Sequence, residues 1–183
     1  MGSGRSGLYI RTHGSQQAIE ALDAGGNARI IPGANGVVTG GSPTMLGKNL
    51  LREMGVTTPQ KWSGYQAHHI IPKQLADHPV IKKMGMELDD PSNGIFLRIP
   101  GENVSARSRH RGYHSVYTKF VKHELDKINV NSSIHSLQIQ VHALQLKLRE
   151  LQRSGLPMYE SSGASIDLWT RYFNKLKQRR LSI

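Results

Sequence analysis

Two adjacent histidines, His68 and His69, stand inside the short apolar run Ala67-His68-His69-Ile70-Ile71-Pro72. If that run is a β-strand, successive side chains leave opposite faces, and one strand presents two imidazoles to two different surroundings. Asn93 opens a second apolar run from Gly94 to Ile99, and His110 and His114 follow, four apart. On a helix, residues at that separation share a face, and two imidazoles so placed can hold one metal ion. His68 is the natural third ligand. Three neutral imidazoles leave a coordination position open, as a catalytic site requires. His69, facing away from them, is then placed to take a proton from water, since a free imidazole titrates near about pH 6.5. A base needs a fixed ring and tautomer, and Asn93 is the candidate to supply both. A metal beside such a base suits phosphodiester hydrolysis, where it binds a phosphate oxygen and stabilises the leaving oxygen.

The elements that must position these groups are legible in outline. Residues 1–41 are interrupted by Gly25-Gly26, Gly33, Gly36 and Gly40-Gly41. Little regular structure is expected there beyond a short helix around Gln16–Leu22. The segment reads as a linker or as a coat over the domain. Residues 42–55 predict a helix: Ser42 can cap it, Pro43 suits its first turn, Leu46, Leu50 and Met54 form a stripe, and Gly55 can end it. Tyr65 to Ile71 is the first strand. Lys73 to Lys83 looks like a short helix that Pro79 interrupts, and Gly94 to Ile99 is the second strand. Tyr113 to Ile128 carries Val116, Tyr117, Phe120, Val121, Leu125 and Ile128 on one face and is the clearest helix. Residues 132–153 repeat Leu137, Val141, Leu144, Leu148 and Leu151 at alternating spacings of four and three; Leu137, Ile139 and Val141 also alternate as a strand would, but the length and the end signal Gly155-x-Pro157 favour a helix. Residues 166–183 form a basic amphipathic end, with Trp169 and Phe173 in its apolar stripe. The organisation expected is therefore residues 1–41 as linker or preceding segment, 42–128 as the domain bearing the motifs, and 129–183 as a helical basic extension.

The chain has 183 residues and a formal net charge of +11, with a sequence pI of about 10.1. That surplus favours an acidic partner, nucleic acid before anionic membrane. The absence of cysteine excludes disulfides and thiolate metal sites, so any metal rests on nitrogen and oxygen ligands. No run is apolar over the ~18 residues a membrane-spanning helix needs, and the first residues lack the apolar core of a secretory signal. Imidazole favours zinc, nickel, copper or iron over magnesium. His13, His78, His123, His135 and His142 have no partner at ligand spacing and read as ordinary surface or core residues.

Ala67-His68-His69-Ile70-Ile71-Pro72, Asn93-Gly94-Ile95-Phe96-Leu97 and His110-Arg-Gly-Tyr-His114-Ser-Val-Tyr117 together resemble the AHH family of nucleases, within the HNH/endonuclease VII (His-Me finger) superfamily. The lead-in Leu46-Gly47-Lys48-Asn49-Leu50 is similar as well, so the likeness spans about residues 44–128. It implies an α+β fold with a ββα-metal core, strand 65–71, strand 94–99 and helix 113–128, and further helices before and after. It implies that His69 is the general base and Asn93 its orienting group, and that His68, His110 and His114 hold one divalent ion, with zinc, nickel, manganese and magnesium all open. His110 matches the first helix histidine of the nuclease colicins. Lys73, Arg107, Arg109, Arg111 and Lys119 flank the motifs and are the expected phosphate contacts.

Because AHH domains commonly end bacterial polymorphic toxins, the resemblance further implies an effector delivered into a target cell. DNA would be its substrate, cut with little sequence preference, and an acidic immunity protein its antagonist. An RNase on the same scaffold and a nucleic-acid-binding module with a structural metal are the rivals. Nothing in the sequence separates DNA from RNA.

Overall fold

The computed structural model describes residues 29–56, 64–99 and 114–179. The possible helix around Gln16–Leu22 lies outside them. Among the described residues nine strands and α-helices follow in order: β1 (Val38–Thr39), α1 (Pro43–Glu53), β2 (Tyr65–His69), α2 (Pro79–Met84), β3 (Met86–Glu87), β4 (Gly94–Arg98), α3 (Ser115–Asp126), α4 (Ile134–Arg153) and α5 (Ile166–Arg179). The fold class is α+β, as expected.

The centre is an antiparallel pair, β2 with β4, in the register Tyr65↔Arg98, Gln66↔Leu97, Ala67↔Phe96, His68↔Ile95 and His69↔Gly94. Alternation gives this ribbon two faces. One carries Ala67 and Phe96 and is covered by Leu46 and Leu50 of α1. A Cβ on Gly94 would come within 2.7 Å of the Leu46 side chain and 3.0 Å of Leu50, so glycine there lets α1 lie against the ribbon. The other face joins the main core, in which Ile95 and Leu97 meet Tyr117, Phe120 and Val121 of α3, Leu137, Val141, Leu144 and Leu148 of α4, and Trp169 and Phe173 of α5. Trp169 packs edge-on to Tyr117 at 5.0 Å and beside Phe120 at 5.5 Å. One core therefore runs from Ile31 to Phe173, and the helices after residue 128 belong to the body that holds the strands.

Local chemistry explains the element ends. Ser42 caps α1 by accepting from the Met45 amide, with Pro43 next in line. Met54, expected in the apolar stripe, is 62% exposed because the helix has ended and only its first two turns face the ribbon. The single helix expected over 73–83 is two pieces: a 3-10 turn, Lys73–Leu75, and then α2, which Pro79 begins rather than breaks. His78 caps α2 by accepting from the Val80 amide through Nδ1, while its Nε2 meets Asp126 at 3.0 Å. Its role is structural, as its isolation in the sequence suggests. Ser133 caps α4 in the same manner as Ser42 caps α1.

The glycine-rich segment contributes more than a coat. Ile30 and Ile31 are buried, β1 pairs in parallel with β3, and Arg29 donates to the carbonyls of Met84 and Gly85.

Candidate active site

His68 and His69 do leave opposite faces of β2. The His68 ring enters the core side. Its Nε2 lies 2.7 Å from His114 Nε2, and its Nδ1 lies 3.0 Å from the Gln152 side-chain nitrogen. Tyr117 packs edge-on to both rings, at 5.2 and 5.1 Å, and its hydroxyl donates to the Ile70 carbonyl at 2.7 Å. His69 turns the other way, and its Nε2–H donates to Asp89 Oδ1 at 2.8 Å. All of these side chains are buried.

His114 approaches His68 from a place the spacing did not foresee. The helix begins at Ser115, and His114 is the residue before it, with φ −122° and ψ 89°. The expectation that His110 and His114 lie one turn apart on a helix beginning at Tyr113 is corrected for His114, whose ring is set by non-helical backbone. His110 lies outside the described residues, as do Arg107, Arg109 and Arg111. Among the described residues no third His, Cys, Asp or Glu joins His68 and His114.

The Asn93 side chain makes no hydrogen bond to His69, and this corrects its expected role as orienting group. Its Oδ1 accepts from the Ile71 amide at 2.8 Å and from Gln145 Nε2 at 3.1 Å. Its Nδ2 donates to the carbonyls of Ile71 and Leu88, at 3.2 and 3.0 Å. The side chain thus imitates a neighbouring strand, extending the ribbon past the His69↔Gly94 pair. It pins Ile71, two residues after His69, and Leu88, one residue before Asp89. Asn93 positions the base and its partner through backbone.

Asp89, which no motif in the sequence singles out, is the group that orients His69. Its carboxylate also accepts from the amides of Gly41 and Ser42, at 2.8 and 2.9 Å, so it is anchored before His69 reaches it. Because a carboxylate here only accepts, the His69 proton sits on Nε2 and the basic lone pair on Nδ1. The same carboxylate stabilises the imidazolium that proton uptake creates, as in the acid–histidine arrangement of hydrolytic triads.

Three further groups went unread. Gln138, Gln145 and Gln152 recur every seventh residue along the buried stripe of α4. Gln138 Oε1 accepts from the amides of Ile30 and Ile31, Gln145 reaches Asn93, and Gln152 reaches His68. A glutamine repeated at heptad spacing within a leucine stripe is a legible signal, since buried amides require partners. The partners themselves are not legible.

Burial lowers the His114 pKa to about 4, with a backbone hydrogen bond acting in the opposite sense. The ring is therefore neutral near neutral pH, the state a metal ligand needs. Together with the convergence of two imidazole Nε2 atoms in a water-poor position, this fits a divalent ion of the kind that imidazole binds. The depressed pKa also sets a stability profile. Between the unfolded value of about 6.5 and the folded value of about 4, the unfolded chain binds a proton that the folded chain refuses. Stability of the metal-free protein is then complete above that window and falls as pH drops through it, by about 3 kcal/mol in all. Urea midpoints measured across the window check this, and the slope should flatten in His114→Gln.

A strand that delivers one histidine to a second histidine and the next to a carboxylate, backed by a second strand and a following helix, is the plan expected of a ββα nuclease site. Residues 49–154 match the family model of AHH, described as a nuclease family of the HNH/ENDO VII superfamily with conserved AHH. The chain belongs to this family and is a nuclease, a hydrolase acting on nucleic acids, and Ala67-His68-His69 are its family signature. Nucleases of this superfamily typically use a metal ion. No curated protein and no solved structure matches the chain.

Proposed function

We propose that this nuclease is a metal-dependent endonuclease that hydrolyses DNA phosphodiesters with little sequence preference. The observation that carries this reading is the division of labour across β2: His68 meets His114 on one face, and His69 meets Asp89 on the other. His68 and His114 would hold the ion, with His110 as the proposed third ligand. When bound, a divalent ion supplies Lewis-acid stabilisation of charge on the phosphate and the leaving oxygen. His69 Nδ1 takes the proton of the attacking water, and Asp89 steadies the ring through the charge change. Lys73 and Lys119 are exposed and are proposed, with Arg107, Arg109 and Arg111, to contact phosphates without reading bases.

The net charge of +11 suits a polyanionic substrate and equally an acidic protein antagonist. On that basis, and from the family resemblance, the role proposed is an antibacterial effector domain delivered into a target cell and restrained by an acidic immunity protein.

The test is cleavage of supercoiled plasmid by the purified chain, with EDTA and with added magnesium, manganese, zinc or nickel. Nicking and linearisation that depend on one of these ions and stop with EDTA are expected. Intact plasmid under every ion, with RNA degraded under the same conditions, would move the substrate assignment to RNA.

A further inference from the structure

We infer that Gln152 positions His68 as a metal ligand by deciding which nitrogen of its ring carries the lone pair, an inference that rests on the metal-dependent reading above. Gln152 is fully buried near the end of α4, where the neighbouring stripe positions are leucines. A polar side chain there costs stability unless it is bonded, and the bond it makes is to the His68 ring. Its Nε2 stands 3.0 Å from His68 Nδ1, whereas its Oε1 is buried without a hydrogen-bond partner among the described residues.

The orientation of the Gln152 amide divides the possible proton arrangements into two sets. With the amide nitrogen toward His68, Nδ1 accepts, so the ring proton sits on Nε2 and is donated to His114 Nε2 across 2.7 Å. The His68 lone pair is then turned away from the shared pocket. A half-turn of the amide brings Oε1 to His68, Nδ1–H donates to it, and the His68 Nε2 lone pair turns toward His114, whose own Nε2–H can donate to it across 2.7 Å. A cation held by both rings would take the place of that hydrogen bond once the His114 proton sits on Nδ1. Only the second arrangement presents the His68 Nε2 lone pair as a ligand, and Gln152 can support either one because an amide carries a donor and an acceptor on one pivot. Outer groups that fix a ligand histidine's tautomer typically change metal affinity by about 10–100-fold when removed.

The experiment is calorimetric titration of the metal-free chain with zinc and with nickel, comparing wild type, Gln152→Met and Gln152→Glu, with circular dichroism on each. Methionine keeps the length and loses the hydrogen bond, so Gln152→Met should bind about 10–100-fold more weakly. Glutamate only accepts, which holds the proton on Nδ1 and turns the lone pair toward the pocket, so Gln152→Glu should bind at least as tightly as wild type. Equal affinity in wild type and Gln152→Met, or equal weakening in both variants, overturns the inference and leaves the metal reading in place. If Gln152→Met does not fold, Gln152→Glu decides alone, and weakened binding there is the negative result. A wild-type chain that binds neither ion removes the metal reading and this inference with it.

Discussion

His69→Ala is expected to lower the rate of cleavage by about 10²–10⁴-fold, the usual contribution of a positioned general base, while leaving the fold and metal affinity close to wild type. Each part of that expectation has a structural reason. The ring makes its hydrogen bond to Asp89 Oδ1 and none to His68, His114 or Gln152, so the pocket on the other face keeps its partners. Asp89, once the ring is gone, still accepts from the Gly41 and Ser42 amides. Its carboxylate is not left buried and unpaired, the circumstance that makes many such deletions destabilising. Single-turnover cleavage, measured beside calorimetric metal binding and a urea melt, separates the three effects. Cleavage within a few-fold of wild type would remove His69 as the base, and loss of metal affinity would mean that the two faces of β2 are not independent.

Asn93→Ala should unfold the protein more readily than it disables the chemistry. The side chain is fully buried and satisfies four groups: the amide and carbonyl of Ile71, the carbonyl of Leu88 and the amide of Gln145. Each buried group left without a partner costs about 1–3 kcal/mol. Even with relaxation, a loss of at least about 3 kcal/mol is expected, a large share of the ~5–15 kcal/mol that holds a typical domain together. Asn93→Asp should fare little better, because a carboxylate cannot donate to the two carbonyls that Nδ2 serves. The urea midpoint is the measurement. A variant as stable as wild type but inactive would return Asn93 to the role of a group acting on the His69 ring, against the contacts seen.

The two predictions separate residues that look alike in the sequence. His69 and Asn93 both belong to short motifs with strong turn or strand signals, yet one is expected to be exchangeable in the fold and the other is not. That distinction depends on what lies around each side chain in three dimensions.

Much was determined by the chain alone. The alternation of a strand sends His68 and His69 to opposite faces whatever else the fold does, because the period is a property of extended backbone. The caps at Ser42 and Ser133, the stop after residue 53 and the leucine stripe of α4 likewise follow from rules acting over a few residues. The family signature Ala67-His68-His69 is local too.

Tertiary structure decided which groups the histidines meet. Asp89 lies 20 residues from His69, Gln152 lies 84 from His68, and Gln145 lies 52 from Asn93. No periodicity encodes such pairings, because they arise when separate elements pack on one core. Helical spacing suggested a shared turn for His110 and His114, but the start of a helix depends on how the preceding chain is held, and α3 begins one residue after His114. Residues 129–183 read as an appendage for the same reason. Amphipathicity says that a helix has a face to bury but not against what, and packing brought α4 to the back of β2, where Gln145 and Gln152 reach Asn93 and His68.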